Sequence, residues 1–192
     1  MTPATNKTRD GVGFSPCITE LVATPAGHAV NETDALPAMN ATMAGAPALA
    51  AVYQNCYSAL RKDSTLTVLE QGVVLFVLAA ASGCNYDVVT YGEAGNAVSS
   101  TFRKITAAIR AGKPLTDARL RVLVSFTRAM FIHRGRPSDY EVKTFLNAGY
   151  REENIQDIIL AIATNTLSAY TSHVFHAQAD ASAREVNWVA VT

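Results

Sequence analysis

Residues 66–91 read LTVLEQGVVLFVLAAASGCNYDVVTY, and their punctuation decides the fold class. Thr67 and Glu70 stand at capping-box spacing, where a hydroxyl and a carboxylate each satisfy an orphan backbone donor at a helix start. The apolar run that follows predicts a helix from Val68 to Ala81, and Ser82-Gly83 stops it. A second helix is expected to begin at Cys84 or Asn85 and run towards Gly95. Two helices joined by so short a turn pack as antiparallel neighbours.

The same signals extend in both directions. Pro47, acceptable in a first helical turn, opens a stripe of Leu49, Val52, Tyr53, Cys56 and Leu60 at helical spacing, which makes Cys56 a core candidate. Beyond residue 95, a helix is expected from Ser99 to Ala111, closed by Gly112 and Pro114. Another, capped by Thr116-Asp117, runs to His133 with Leu120, Leu123, Val124, Thr127, Ala129 and Phe131 on its stripe. Ser138 to Glu141 is a second capping box, opening a short helix that ends at Asn147-Ala148-Gly149. A last long helix, Glu152 to His176, carries Ile155, Ile158, Ile159, Ile162, Thr166, Ala169 and Tyr170 on one face. No alternating run reads as a strand, so the class is all-α, with about six to eight helices.

Composition bounds the partners. The chain has 192 residues, 49% of them hydrophobic, and its 16 Lys+Arg balance 16 Asp+Glu. With a pI near 6.9 and no basic cluster beyond Arg134-Gly135-Arg136, the electrostatic footprint for nucleic acid is missing. The longest wholly apolar run, Val73 to Ala81, is about half of a membrane span, so none is expected. MTPATNKTRDGVG lacks the apolar stretch of a secretory signal, which sets a cytoplasmic address as the expectation. Cys17, Cys56 and Cys84 are too irregularly spaced for a disulfide framework or a zinc site. His173 and His176 form an i, i+3 pair without a third ligand, and His133 reads as a partner for a helix C-terminus. No glycine-rich nucleotide pattern occurs, so neither cofactor nor metal is expected. The organisation expected is an irregular lead-in over 1–45 with at most a short helix, a helical domain over 46–176, and a tail over 177–192 whose Trp188 could dock on the body or on another subunit.

The segment 66–91, followed by Phe126-Thr-Arg-Ala-Met130, Arg134-Gly-Arg, Ser138-Asp, Phe145-Leu-Asn-Ala-Gly-Tyr150, Ile158-Ile-Leu and Thr166-Leu-Ser-Ala-Tyr170-Thr-Ser-His173, resembles the carboxymuconolactone decarboxylase-like family, which includes alkylhydroperoxidase AhpD. The resemblance spans about residues 40 to 176. It implies an all-helical module that assembles as a homo-oligomer, a dimer, trimer or hexamer. In redox members the first helix leads into Asn-Gly-Cys-x-Tyr-Cys-x-x-x-His, a peroxide-reducing dithiol assisted by the His and by a Glu twelve residues before the first cysteine.

Matched position by position, Cys84 is the first cysteine, Asp87 replaces the second, Tyr91 replaces the His, and Gly72 stands at the Glu position. Glu70 lies two residues earlier, about 200° away around a helix, and is a candidate pocket-lining residue. Without a second thiol no local disulfide can resolve a sulfenic acid. The Asp87 carboxylate, one turn from Cys84, pushes the thiol pKa up by like-charge repulsion, while a helix N-terminus acts the other way. Asp87 and Tyr91, four apart, share a helix face and suit proton transfer once burial moves the carboxyl towards neutrality.

Three readings therefore stand, with Cys84, Asp87 and Tyr91 as the catalytic candidates. The first is a divergent AhpD-like peroxidase or peroxiredoxin-type oxidoreductase with weak or one-cysteine activity and a thiol electron donor. The second is a cofactor-independent lyase or isomerase acting on a small organic acid through Asp87 and Tyr91. The third is a non-catalytic oligomeric scaffold.

Overall fold

Thr67 closes the reciprocal cap the sequence predicts: its hydroxyl accepts from Glu70 N, and Glu70 Oε2 accepts from Thr67 N at 2.9 Å. The computed structural model describes residues 37–177, apart from the side chains of residues 37, 38 and 93–98. Among the described residues there are eight helices and no strand: α1 Pro37–Met43, α2 Pro47–Asp63, α3 Val68–Ala81, α4 Asn85–Val98, α5 Ser100–Arg110, α6 Ala118–Ile132, α7 Asp139–Asn147 and α8 Glu152–Phe175. The sequence expectations at residues 1–36, Cys17 included, and in the tail around Trp188 lie outside the described residues.

Caps explain the boundaries. Ser99, Asp117 and Ser138 accept backbone donors at the starts of α5, α6 and α7, and Ser138 and Glu141 form a second complete capping box. Gly83, Gly112 and Gly149 take positive φ where α3, α5 and α7 end, a conformation glycine adopts without a Cβ clash.

Helix α3 is apolar on all sides, so it must be surrounded. It is packed by α4, α5, α6 and α8, and Val73, Val74, Phe76, Leu78 and Ala79 are fully buried. Across the core, Phe145 stacks between Phe126 and Tyr150, with ring centroids 4.2 and 4.4 Å away. The α2–α3 turn is tied to the start of α8, because Thr65 N and Oγ1 both donate to Asp157 Oδ2 and Asn154 Nδ2 donates to Thr65 Oγ1. A second, smaller cluster forms where α1, α2, α4 and α8 meet, from Met39, Met43, Tyr53, Cys84, Tyr86 and Ala169.

Two expectations change. Cys56 is half-buried and outside both core clusters, because α2 turns Tyr53 and Leu60 inwards and leaves Val52 exposed. The predicted α8 stripe holds in part: Ile158 and Ala169 are buried, but Ile159 is 52% and Tyr170 70% exposed, while Asn165 and Ser168 are fully buried. The polar groups go inward because they have partners there. By length and apolarity α8 could cross a membrane, but its inner face carries this polar set and packs on α2, α3 and α4.

Candidate functional site

The turn between α3 and α4 delivers Cys84 into the interior. Gly83 at φ 68° ends α3, Cys84 N donates back to Ala79 O at 3.1 Å, and Val88 N donates to Cys84 O to start α4. One turn later, on the same side of α4, comes Asp87. Both residues are fully buried.

A buried carboxylate needs donors, and α8 supplies them. Ser168 Oγ donates to Asp87 Oδ1 at 2.5 Å and Asn165 Nδ2 donates to Oδ2 at 3.1 Å. The Cys84 thiol lies close enough to both Asp87 and Ser172 to be influenced by them. Burial raises the Asp87 pKa to about 7, while the bond from Ser168, the nearby Cys84 thiol and the bond from Asn165 hold it from rising further. Burial, then the Asp87 charge, pushes the Cys84 thiol up to about 12. Burial, added to the foreseen Asp87 repulsion, outweighs the opposing effect and keeps the thiol protonated.

Two phenols complete the cluster. Tyr91 from α4 and Tyr53 from α2 are both buried, and burial followed by the Asp87 charge raises both hydroxyls well above their ordinary range. The two hydroxyls lie close enough to act on each other, yet neither has a hydrogen-bond partner of good geometry, and Asn165 Oδ1 is likewise without one. Tyr91 feels the Asp87 charge without bonding to it directly. Met39 and Met43 of α1, fully buried against this cluster, form its roof among the described residues.

Glu70 belongs elsewhere. Its Oε2 serves Thr67, and its Oε1 accepts from Tyr150 Oη at 3.0 Å and lies 3.3 Å from Arg119, whose guanidinium stacks over the Tyr150 ring at 4.3 Å. This ties the start of α3 to α6 and to the α7–α8 turn, and it shares no hydrogen bond with Asp87. Gly72, where the redox pattern places its glutamate, faces Phe102: a Cβ built there would sit 2.9 Å from the ring edge. That position is filled by aromatic packing.

Of the sequence-predicted residues, Cys84, Asp87 and Tyr91 are thus brought together, and Glu70 is not. Tyr53, Asn165, Ser168 and Ser172 were not singled out. The last three recur at i, i+3 and i+7 on α8, which is a readable polar stripe; Tyr53 carries no such mark. His173 and His176 are exposed, and among the described residues no three metal-ligating side chains cluster. A surface cavity of about 410 Å3 between α6 and α7, lined by Arg121, Ser125, Tyr140 and Thr144 among others, contains none of these site residues.

No family model matches the sequence, and no curated protein does. Among solved structures, an uncharacterized peroxidase-related protein from Silicibacter sp. TM1040 is similar, with a TM-score of 0.60 over 77% of this chain and 85% of that one, at 18% identity. At that identity the likeness establishes shape alone: the described chain has the all-helical fold of a peroxidase-related protein.

Proposed function

We propose that the chain is a divergent AhpD-like protein in which the dithiol site has become an acid–base site, and that it works as a cofactor-independent isomerase or lyase with Asp87 as the proton carrier. The observation that carries this reading is the Asp87 carboxyl held near 7 inside a polar cluster. A general base is most effective when its pKa lies near the working pH. Beside it, the unpartnered Tyr53 and Tyr91 hydroxyls are donors suited to an oxyanion developing on a carbonyl substrate. Asp87 takes a proton from carbon next to the carbonyl, the phenols stabilise the enolate oxygen, and the proton returns to carbon.

The one-cysteine redox reading draws on the peroxidase-related fold and on Ser172, whose nearby hydroxyl lowers the Cys84 pKa. It is the weaker of the two, because a thiol at about 12 leaves roughly one part in 10^5 as the attacking thiolate at pH 7. Exposed Ile159, Tyr170, Val174 and Phe175 along α8 support a homo-oligomer.

The test is solvent deuterium incorporation into a mixed panel of small carbonyl compounds, acids and neutral molecules together, followed by proton NMR. Exchange by the wild type that Asp87→Asn loses supports the reading. Equal exchange by both proteins contradicts it.

A further inference from the structure

Among the described residues, no lysine, arginine or histidine is among the groups acting on Asp87. The largest influences on Cys84, Tyr53 and Tyr91 are likewise burial, the Asp87 carboxyl and neutral neighbours. What surrounds them is neutral: phenols, hydroxyls, an amide, a thiol and the methionine roof. A second carboxylate beside Asp87 would be a like charge in a low-dielectric interior, with no cation among the described residues acting on Asp87 to balance it.

The unpartnered atoms then specify the complement. Tyr53 and Tyr91 each offer an O–H, and Asn165 offers Oδ1, since its Nδ2 is already committed to Asp87. A ketone or aldehyde oxygen satisfies the phenols, and a neighbouring hydroxyl satisfies Asn165.

Resting on the acid–base reading above, we infer that the Asp87 site takes a neutral α-hydroxy carbonyl compound, in place of the small organic acid that the family resemblance implies. Asp87 as carboxylate removes the proton from the hydroxyl-bearing carbon. The C–H electron pair becomes the carbon–carbon double bond of the enediolate as the carbonyl pair moves onto the oxygen that the phenols hold. Asp87 returns the proton either to the same carbon, which is exchange, or to the former carbonyl carbon while the hydroxyl proton passes to the other oxygen, which is isomerisation. The net change is exchange or isomerisation, with no oxidant and no leaving group.

The experiment incubates the full-length protein in deuterated buffer at neutral pD with each of two sets of compounds separately: hydroxyacetone, dihydroxyacetone and glycolaldehyde, and the acids pyruvate, hydroxypyruvate and lactate. Asp87→Asn and the near-isosteric Tyr91→Phe serve as controls, the second guarding against loss of fold in the first. The inference expects deuterium in the neutral set at least about tenfold above Asp87→Asn, reduced in Tyr91→Phe, and background exchange in the acids. Exchange of the acids at an equal or higher rate overturns the neutral class while leaving Asp87 as the base. No excess over Asp87→Asn in either set overturns both.

Discussion

Ser168 Oγ donates to Asp87 Oδ1 at 2.5 Å across 81 residues of sequence, joining the middle of α8 to the first turn of α4. With Asn165 on the other carboxylate oxygen, this bond turns the inner face of α8 polar and fixes the orientation of Asp87. Removing the acceptor would strand two buried donors, and removing a donor would leave the carboxyl less held. The cluster therefore couples stability to ionisation.

The first prediction concerns pH. Asp87 is raised from 3.8 to about 7 on folding, so between these values the folded state binds more protons than the unfolded one. Stability from this group is present below about 4 and is lost as pH rises through 7, a total on the order of 4 kcal/mol. Glu141 works the other way: its backbone and hydroxyl bonds from Ser138 lower its pKa, so its contribution is lost as pH falls below the ordinary carboxylate range. Urea denaturation across pH 4 to 8 should show a falling limb that Asp87→Asn removes and Glu141→Gln leaves in place.

The second concerns cysteine reactivity. Cys84 is buried with its thiol at about 12, and Cys56 is half-buried. Iodoacetamide at pH 7.5 should label Cys56 at least about 100-fold faster than Cys84, read peptide by peptide in a mass spectrometer. Met43→Ala, which thins the roof, should narrow that gap.

The third separates Glu70 from the site. Glu70→Ala removes the acceptor for Thr67 and Tyr150 and the partner of Arg119, and should cost about 3 kcal/mol in urea denaturation. Deuterium exchange per folded molecule should be unchanged.

The fourth asks whether the redox site can be restored. Gly72→Ala should lose about 1 kcal/mol, because overpacking against Phe102 outweighs the helix propensity gained, and Phe102→Leu in the same chain should recover it. Asp87→Cys with Tyr91→His should still turn over little peroxide, since burial, the larger cause of the raised Cys84 pKa, remains.

The helix boundaries were legible because caps are local chemistry: Thr67 with Glu70, Asp117, and Ser138 with Glu141 each announce a start within four residues. The face that α8 buries was not. Ile159 and Tyr170 look like core by hydrophobicity, but the choice depends on Asp87, about eighty residues away, which draws Asn165 and Ser168 inward. Cys84, Asp87 and Tyr91 could be grouped because they share one helix start. Tyr53 could not, since only tertiary packing brings α2 over α4.

The most direct test of Asp87 as the proton carrier is its own titration, followed by carbon-13 NMR of aspartate carboxyls, with the Asp87 signal assigned by its absence in Asp87→Asn. The account predicts a midpoint near 7. A midpoint at the ordinary value near 4 would mean a permanently ionised carboxylate, and the acid–base role would fall with it.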